Sequence, residues 1–263
     1  MVLIFFVLLY IVPVLVSVGL YFLRDRHTDW RAGDRSSAGL LLPPSRNPEA
    51  VVRIFSARTV SWRGAAATHS WIVIKEPRAT AYERFDYTAW GQPIWKDRFV
   101  PDGRWFGSAP EVIFAADGEV AAQMIPTIRA TIRDYRYPRS GDYRLWPGPN
   151  SNTFVAAVMQ AVPAMKSSLP ATAVGKDFPY DGRWLGLTPS RTGVRLNLGG
   201  YFGIAVGWYE GIELNILGAV AGVDLRRPAL KLPGIGRLGL PLYPPRPTAA
   251  ARSVQVRFRQ RDC

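Results

Sequence analysis

Cysteine, histidine and lysine are the scarce residues of this 263-residue chain: one cysteine, Cys263, two histidines, His27 and His69, and five lysines against 28 arginines. A single cysteine excludes an internal disulfide and leaves the redox compartment open. Two histidines and one cysteine cannot build a histidine–cysteine metal cluster, and scattered carboxylates alone make a poor metal site, so neither a metal nor another cofactor is expected. Acidic residues are also short, 20 against 33 basic, which leaves a net charge of +13. A field of that sign favours anionic partners such as lipid headgroups or cell-wall polymers. No basic stripe with interleaved aromatics and no nucleic-acid recognition motif accompanies it, so nucleic acid is not an expected partner.

Charge of either sign is missing altogether from Val2 to Leu23, where only Pro13, Ser17 and Gly19 interrupt the apolar run. As a helix these 22 residues reach about 33 Å, enough to cross a bilayer. Ser17-Val18-Gly19 offers a small-residue cleavage site, but the long run without a charged leader favours an uncleaved anchor. The expected organisation is a transmembrane anchor over 1–23, a juxtamembrane linker over 24–49 broken by Gly33, Pro43, Pro44 and Pro48, and a single α+β domain over 50–263 with a Gly/Pro-rich β C-terminal part. Arg24, Arg26, Arg31 and Arg35 follow the span and pull the domain toward the cytoplasm, partly offset by Asp25, Asp29 and Asp34.

In the domain, Val51 to Phe55 alternates as a strand, and Thr68 to Lys75 is rich in β-branched and aromatic residues with His69 at its start. A third strand, Thr80 to Trp90, carries Glu83 and Asp86, whose opposite parity lets at most one of them support His69. Ile125, Ile128, Ile132 and Tyr135 form one face of a helix in which Pro126 suits the first turn. Pro147-Gly148-Pro149-Asn150 is a rigid turn into a second helix that begins at Ser151, buries Phe154, Val155, Val158 and Val162, and stops at Pro163. A long loop, 170–189, precedes three strands at Val194–Leu198, Phe202–Tyr209 and Ile212–Leu217, and a late strand is expected at Val254–Phe258. The apolar stretch 199–223 is long enough to mimic a second span, but Glu210, Glu213 and Asn215 argue for sheet. Gly234-Ile235-Gly236-Arg237-Leu238-Gly239 fits a dinucleotide fingerprint, which needs a helix after it; Pro241, Pro244, Pro245 and Pro247 follow instead, and a glycine-proline loop is expected.

The chemistry open to this inventory is narrow. His27 lies beside the membrane, so His69 is the one histidine placed to act as a general base. Ser151, at a helix N-terminus where free N–H groups favour developing negative charge, is the candidate nucleophile. Capping alone also explains Asn150 and Ser151.

The segments His69-Ser70-Trp71-Ile72-Val73-Ile74-Lys75, Gly148-Pro149-Asn150-Ser151-Asn152-Thr153-Phe154 and Lys231-Leu232-Pro233-Gly234-Ile235-Gly236-Arg237 resemble the uncharacterised bacterial family domain of unknown function 3750. More distantly, a histidine strand followed by an Asn-Cys-Asn helix start is similar to circularly permuted papain-like proteins of the NlpC and lecithin retinol acyltransferase kind, in which the cysteine attacks an acyl carbon and the histidine activates it. That resemblance implies a permuted papain-like plan with Ser151 in place of the cysteine and His69 as base; the residues themselves offer Glu83 as candidate orienter and predict an antiparallel sheet carrying His69 packed on the helix that begins at Ser151. Asn150, Asn152 and Trp71, neighbours of those two residues, are the candidate substrate contacts. Two function classes follow. One is an amide or ester hydrolase or acyltransferase at the cell envelope. The other is a catalytically silent domain that holds an acyl chain or a cell-wall peptide. Either would sit in the bacterial inner membrane as a single-pass protein, and likeness to cell-wall hydrolases places the domain on the periplasmic side.

Overall fold

The structure, a computed structural model, describes residues 1–23 and 31–240. His27, Arg24, Arg26, Cys263 and the expected strand at Val254–Phe258 lie outside the described residues.

The uncharged Val2–Leu23 forms one helix, α1, long and apolar enough to cross a membrane. Its hydrogen bonding widens to a π pattern over Val7–Ile11, just before Pro13, which donates no N–H and whose ring crowds the carbonyl four residues back. The rest of the chain is α+β. Strands β1 (Val51–Arg58), β2 (Thr68–Lys75), β3 (Glu83–Tyr87), β4 (Ile94–Lys96) and β5 (Glu111–Asp117) make an antiparallel sheet in the order β4-β3-β2-β1-β5. Helices α2 (Gly118–Arg133) and α3 (Ser151–Ala161) cover one face of it. There Val52, Ile54, Ile72 and Ile74 meet Ile128 and Phe154 in the main core. The other face carries an aromatic cluster of Phe55, Trp71, Val73, Trp105 and Phe106. Because strand side chains alternate, β2 sends Ile72 and Ile74 to the helices and His69, Trp71 and Val73 the other way.

The helix that starts at Ser151 and the strand that holds His69 have the spans their sequences predict. Two details differ. Strand β5 is not anticipated, because it runs straight into α2 at Asp117 with no turn between them. Pro126 stands in the middle of α2 rather than its first turn; the apolar stripe Ala121, Met124, Ile125, Ile128 and Ile132 is buried and holds the helix through the lost N–H. The stretch expected as linker is fastened to the domain in its second half. The buried Asp102 carboxylate accepts hydrogen bonds from Ser37 Oγ at 2.8 Å and from the Leu40 N–H at 2.7 Å.

The C-terminal part is a second sheet, a meander of seven antiparallel strands in sequence order: β6 (Leu185–Leu187), β7 (Gly193–Leu198), β8 (Phe202–Gly207), β9 (Gly211–Ile216), β10 (Ala219–Asp224), β11 (Ala229–Leu232) and β12 (Gly236–Gly239). Strands β7 to β9 match expectation. β6 lies inside the expected loop, and β12 replaces the expected glycine-proline loop, so the glycine hexad is a turn and a strand with no helix to receive a phosphate. Helix α1 is bonded to the folded chain on three levels. Tyr10 Oη donates to Leu214 O at 2.9 Å, Ser17 Oγ to Gly234 O at 2.9 Å, and Tyr21 Oη to Ser61 O at 2.7 Å.

Candidate functional site

His69 is 5 % exposed, with its Nε2 2.9 Å from Asp86 Oδ1 and its ring stacked on Trp105 at 3.7 Å between centroids. Asp86 is fully buried and also receives Arg84 Nε at 2.8 Å and Nη2 at 2.9 Å. Burial pushes the His69 ring below its ordinary 6.5, outweighing the pull of Asp86 toward the charged form. The ring is therefore neutral at pH 7, donates Nε2–H to the carboxylate and keeps Nδ1 as its acceptor. Burial would raise Asp86, but the Arg84 charge and the hydrogen bond from His69 hold it below the usual carboxylate range.

The pairing register decides which carboxylate serves His69. Val73 lies opposite Arg84 and Ile74 opposite Glu83, so Arg84 and Asp86 share the face of His69 and Trp71 while Glu83 points to the other. This corrects Glu83 as the orienter. Its partners are Arg129, at 2.5 and 2.8 Å, and Lys96 at 2.7 Å, and the Arg129 hydrogen bonds bring it down to about 2.

Ser151 opens α3 and is 3 % exposed. The cap itself is Asn150, whose Oδ1 accepts from the N–H groups of Asn152 at 2.9 Å and Thr153 at 3.2 Å, while Thr153 Oγ1 accepts from the Asn150 N–H. Asn150 Nδ2 donates to Leu145 O and Val174 O. Asn152 clamps α3 to β2, with Nδ2 donating to Thr68 O at 2.9 Å and to Val174 O at 2.8 Å, and Oδ1 accepting from Ser70 Oγ at 2.8 Å. Trp71 is fully buried, donates Nε1–H to Pro101 O at 2.9 Å, and lies under the Arg84 guanidinium at 4.1 Å. The three expected substrate contacts thus have their polar atoms engaged inside the protein. Among the described residues no hydrogen bond joins Ser151 to His69; the β2 residue bonded to α3 through its side chain is Ser70.

The open space lies nearby. A cleft of about 370 Å³ runs between the end of β1 with β5, the segment 167–172, and the second sheet. Its lining mixes the apolar Ala57, Val112, Ile113 and Leu169 with hydroxyl side chains such as Ser56, Ser167 and Thr172, and carries Arg58, Arg226, Lys231 and Arg237 against Glu111 and Asp224. Arg226 is held over the Tyr209 ring at 4.0 Å, and Arg237 is paired with Asp224 at 2.9 Å. The wall segment Ile235–Arg237 follows Gly234, whose carbonyl receives both Arg58 Nη1 and the Ser17 hydroxyl of α1. Lys231 and Arg237 fall in the third segment singled out from the sequence. The arginines at 58 and 226 had no local signal, because they are brought together by two sheets far apart in the chain. Among the described residues no group of three or more histidine, cysteine, aspartate or glutamate side chains is placed to hold a metal ion.

No curated protein and no solved structure matches the chain. A match to a family model stops at residue 178 and so leaves out the second sheet and the Lys231–Arg237 segment. It covers the first sheet, α2, α3 and both segments around His69 and Ser151. Over residues 49–178 the chain matches the family described as Protein of unknown function (DUF3750), which is the family those two segments resemble.

Proposed function

We propose that the protein is a membrane-anchored binding domain that takes an anionic amphiphile, an acyl chain with a charged end, into the cleft between its two sheets and does not cleave it. The observation that supports this reading is the lining of the cleft, which brings the apolar Ala57, Val112, Ile113 and Leu169 together with the cationic Arg58 and Arg226; Lys231 and Arg237 are paired with Glu213 and Asp224. Such a lining suits a ligand with one end of each kind. The segment Ile235–Arg237, next to the Gly234 bonded to Ser17 of α1, puts part of the cleft's lining close to the anchor, where amphiphiles concentrate. In this reading the His69–Asp86–Arg84 group and the α3 cap hold the sheet and helix that shape the cleft. The protein sits in the bacterial inner membrane with the domain on the periplasmic side, in reach of acyl chains and cell-wall peptides.

A second reading is a serine hydrolase or acyltransferase on a permuted papain-like plan. The neutral His69, oriented by Asp86 and presenting Nδ1, favours it. Ser151 Oγ would attack an acyl carbon and pass its proton to that nitrogen, which would hand it to the departing alcohol or amine as the acyl–serine ester forms; the step requires the ring, which here faces away from α3, to turn toward Ser151.

One pair of assays on the full-length protein in mild detergent separates the two. A medium-chain fatty acid should bind by calorimetry at least about tenfold more tightly than the matching alcohol, and Arg226→Gln should weaken the acid about tenfold, the worth of one charge-assisted hydrogen bond. A fluorophosphonate probe should leave Ser151 unlabelled. Equal binding of acid and alcohol would sink the anionic-ligand reading, and labelling of Ser151 that disappears in His69→Ala would establish the hydrolase instead.

A further inference from the structure

The second sheet is turned inside out. In β7, β8 and β9 the buried set is polar or small, with Arg195, Asn197, Gly203, Glu213 and Asn215, whereas the alternate set is apolar and open. Leu196, Ile204, Val206 and Ile212 are 38 %, 42 %, 44 % and 46 % exposed. Register places Leu196 opposite Ile204, Val206 opposite Ile212, and Leu230 opposite Leu238, so the apolar set forms one continuous outer face. No charged residue stands on that face in any of the seven strands described. An antiparallel sheet with one face in water shows the reverse alternation. Apolar-out and polar-in is the pattern of strands that meet lipid, and an open apolar face of this breadth marks an interaction surface.

The anchor says what covers it. Leu214 belongs to the outer set of β9, and its carbonyl accepts the Tyr10 hydroxyl of α1, which also touches β10. A helix that crosses a bilayer carries its hydrogen-bonded partners to its own depth. Tyr10 lies thirteen residues, about 20 Å, from the end of α1 at Leu23, so the outer face at β9 is drawn into the hydrocarbon beside it. Trp208 in the β8–β9 turn and Trp184 before β6 are 58 % and 61 % exposed at the rim of the sheet, where indole rings suit the headgroup layer. The excess of basic residues, +13 over the chain, complements anionic headgroups.

We infer that the outer face of the second sheet is a membrane-embedded surface, in contact with the acyl chains of the bilayer that holds α1. This contact is independent of what the cleft binds. It makes the protein anchored twice, by a helix and by a sheet laid against the same lipid.

The test uses the full chain with Cys263→Ser, reconstituted in phosphatidylethanolamine–phosphatidylglycerol vesicles. Spin labels are placed singly on Leu196→Cys, Ile204→Cys and, as a reference on α2, Arg133→Cys; all three native side chains are exposed. The two sheet labels should collide several-fold more with oxygen than with a water-soluble nickel chelate, and the α2 label should show the reverse. Free collision of the sheet labels with nickel would overturn the inference. So would low collision with both reagents together with spin–spin broadening that fades on dilution with unlabelled protein, since a second copy would then cover the face. A measurement on mild variants guards against misfolding: Trp184 and Trp208 are exposed, so the part of the tryptophan fluorescence that chain-brominated lipid quenches should fall clearly when both are changed to phenylalanine, and quenching left unchanged by the pair would equally overturn the proposal.

Discussion

Replacing Glu213 by alanine should lower the unfolding free energy by about 3–5 kcal/mol, the usual cost of leaving buried charges without their partner. Glu213 is 2 % exposed on the inner face of β9, between two lysines that are themselves buried. Lys231 Nζ lies 2.6 Å from Glu213 Oε1, and Lys176 Nζ bonds Glu213 Oε2. Burial alone would lower Lys176, but the carboxylates of Asp177 and Glu213 hold it above its ordinary value. Burial likewise would raise Glu213, and the two ammonium groups keep it low. In Glu213→Ala, Lys231 keeps the Glu210 carbonyl at 2.6 Å and Lys176 keeps Asp177 at 3.2 Å, yet one negative charge is gone from a site that contains two positive ones. The triple variant Lys176→Met, Glu213→Leu, Lys231→Met removes all three charges at similar volume and should recover most of the loss. Guanidinium unfolding of the full chain in mild detergent checks both. Arg133→Ala, whose pair with Asp134 lies in solvent, should leave the midpoint unchanged.

Asp86→Ala should cost a similar amount, again about 3–5 kcal/mol, for a related reason. Arg84 is 1 % exposed and would keep Val100 O at 2.7 Å and the faces of Trp71, Phe99 and Trp105 but no carboxylate, while His69 would lose its acceptor. The same group sets a pH dependence. The folded fold holds His69 below 6.5, so the unfolded chain takes up the proton first as pH falls. The contribution of the neutral ring is complete above about 6.5 and declines below it. Asp86, held below 3.8, contributes above its unfolded value and is lost only at still lower pH. Stability measured from pH 8 to 5 should therefore slope downward below 6.5 in the unaltered protein and be flatter in His69→Gln. A slope that is the same in both would show that His69 does not titrate in this way.

Much of the first sheet is legible in the sequence because local chemistry and tertiary structure agree there. The β-branched run from Thr68 to Lys75 is a strand wherever it is placed, and Asn150 with Thr153 is a helix start by its own hydrogen bonds. The support of His69 was half legible. Parity separates Glu83 from Asp86, but which of them shares its face depends on the β2–β3 register, a long-range choice that no local residue fixes. The second sheet shows the opposite difficulty. Its alternation is plain, yet alternation does not say which face is inward. Assigning the apolar set to the core is natural for a protein in water, and here the polar set is inward because Lys176, Asp177 and Lys231 meet it there. The cleft was not legible at all, since its walls come from both sheets.

The direct test of the cleft as a binding site is to ask where a ligand lies when the protein is in its membrane. A fatty acid bearing a diazirine near the chain terminus, added to vesicles that contain the full-length protein and irradiated, leaves its mark on the side chains nearest to it. If the account is right, peptide mapping will place the adduct on Val112, Ile113 or Leu169, and Arg226→Gln will reduce it. Adducts confined to α1 and the outer face of the second sheet, with the cleft residues unmarked, would contradict it.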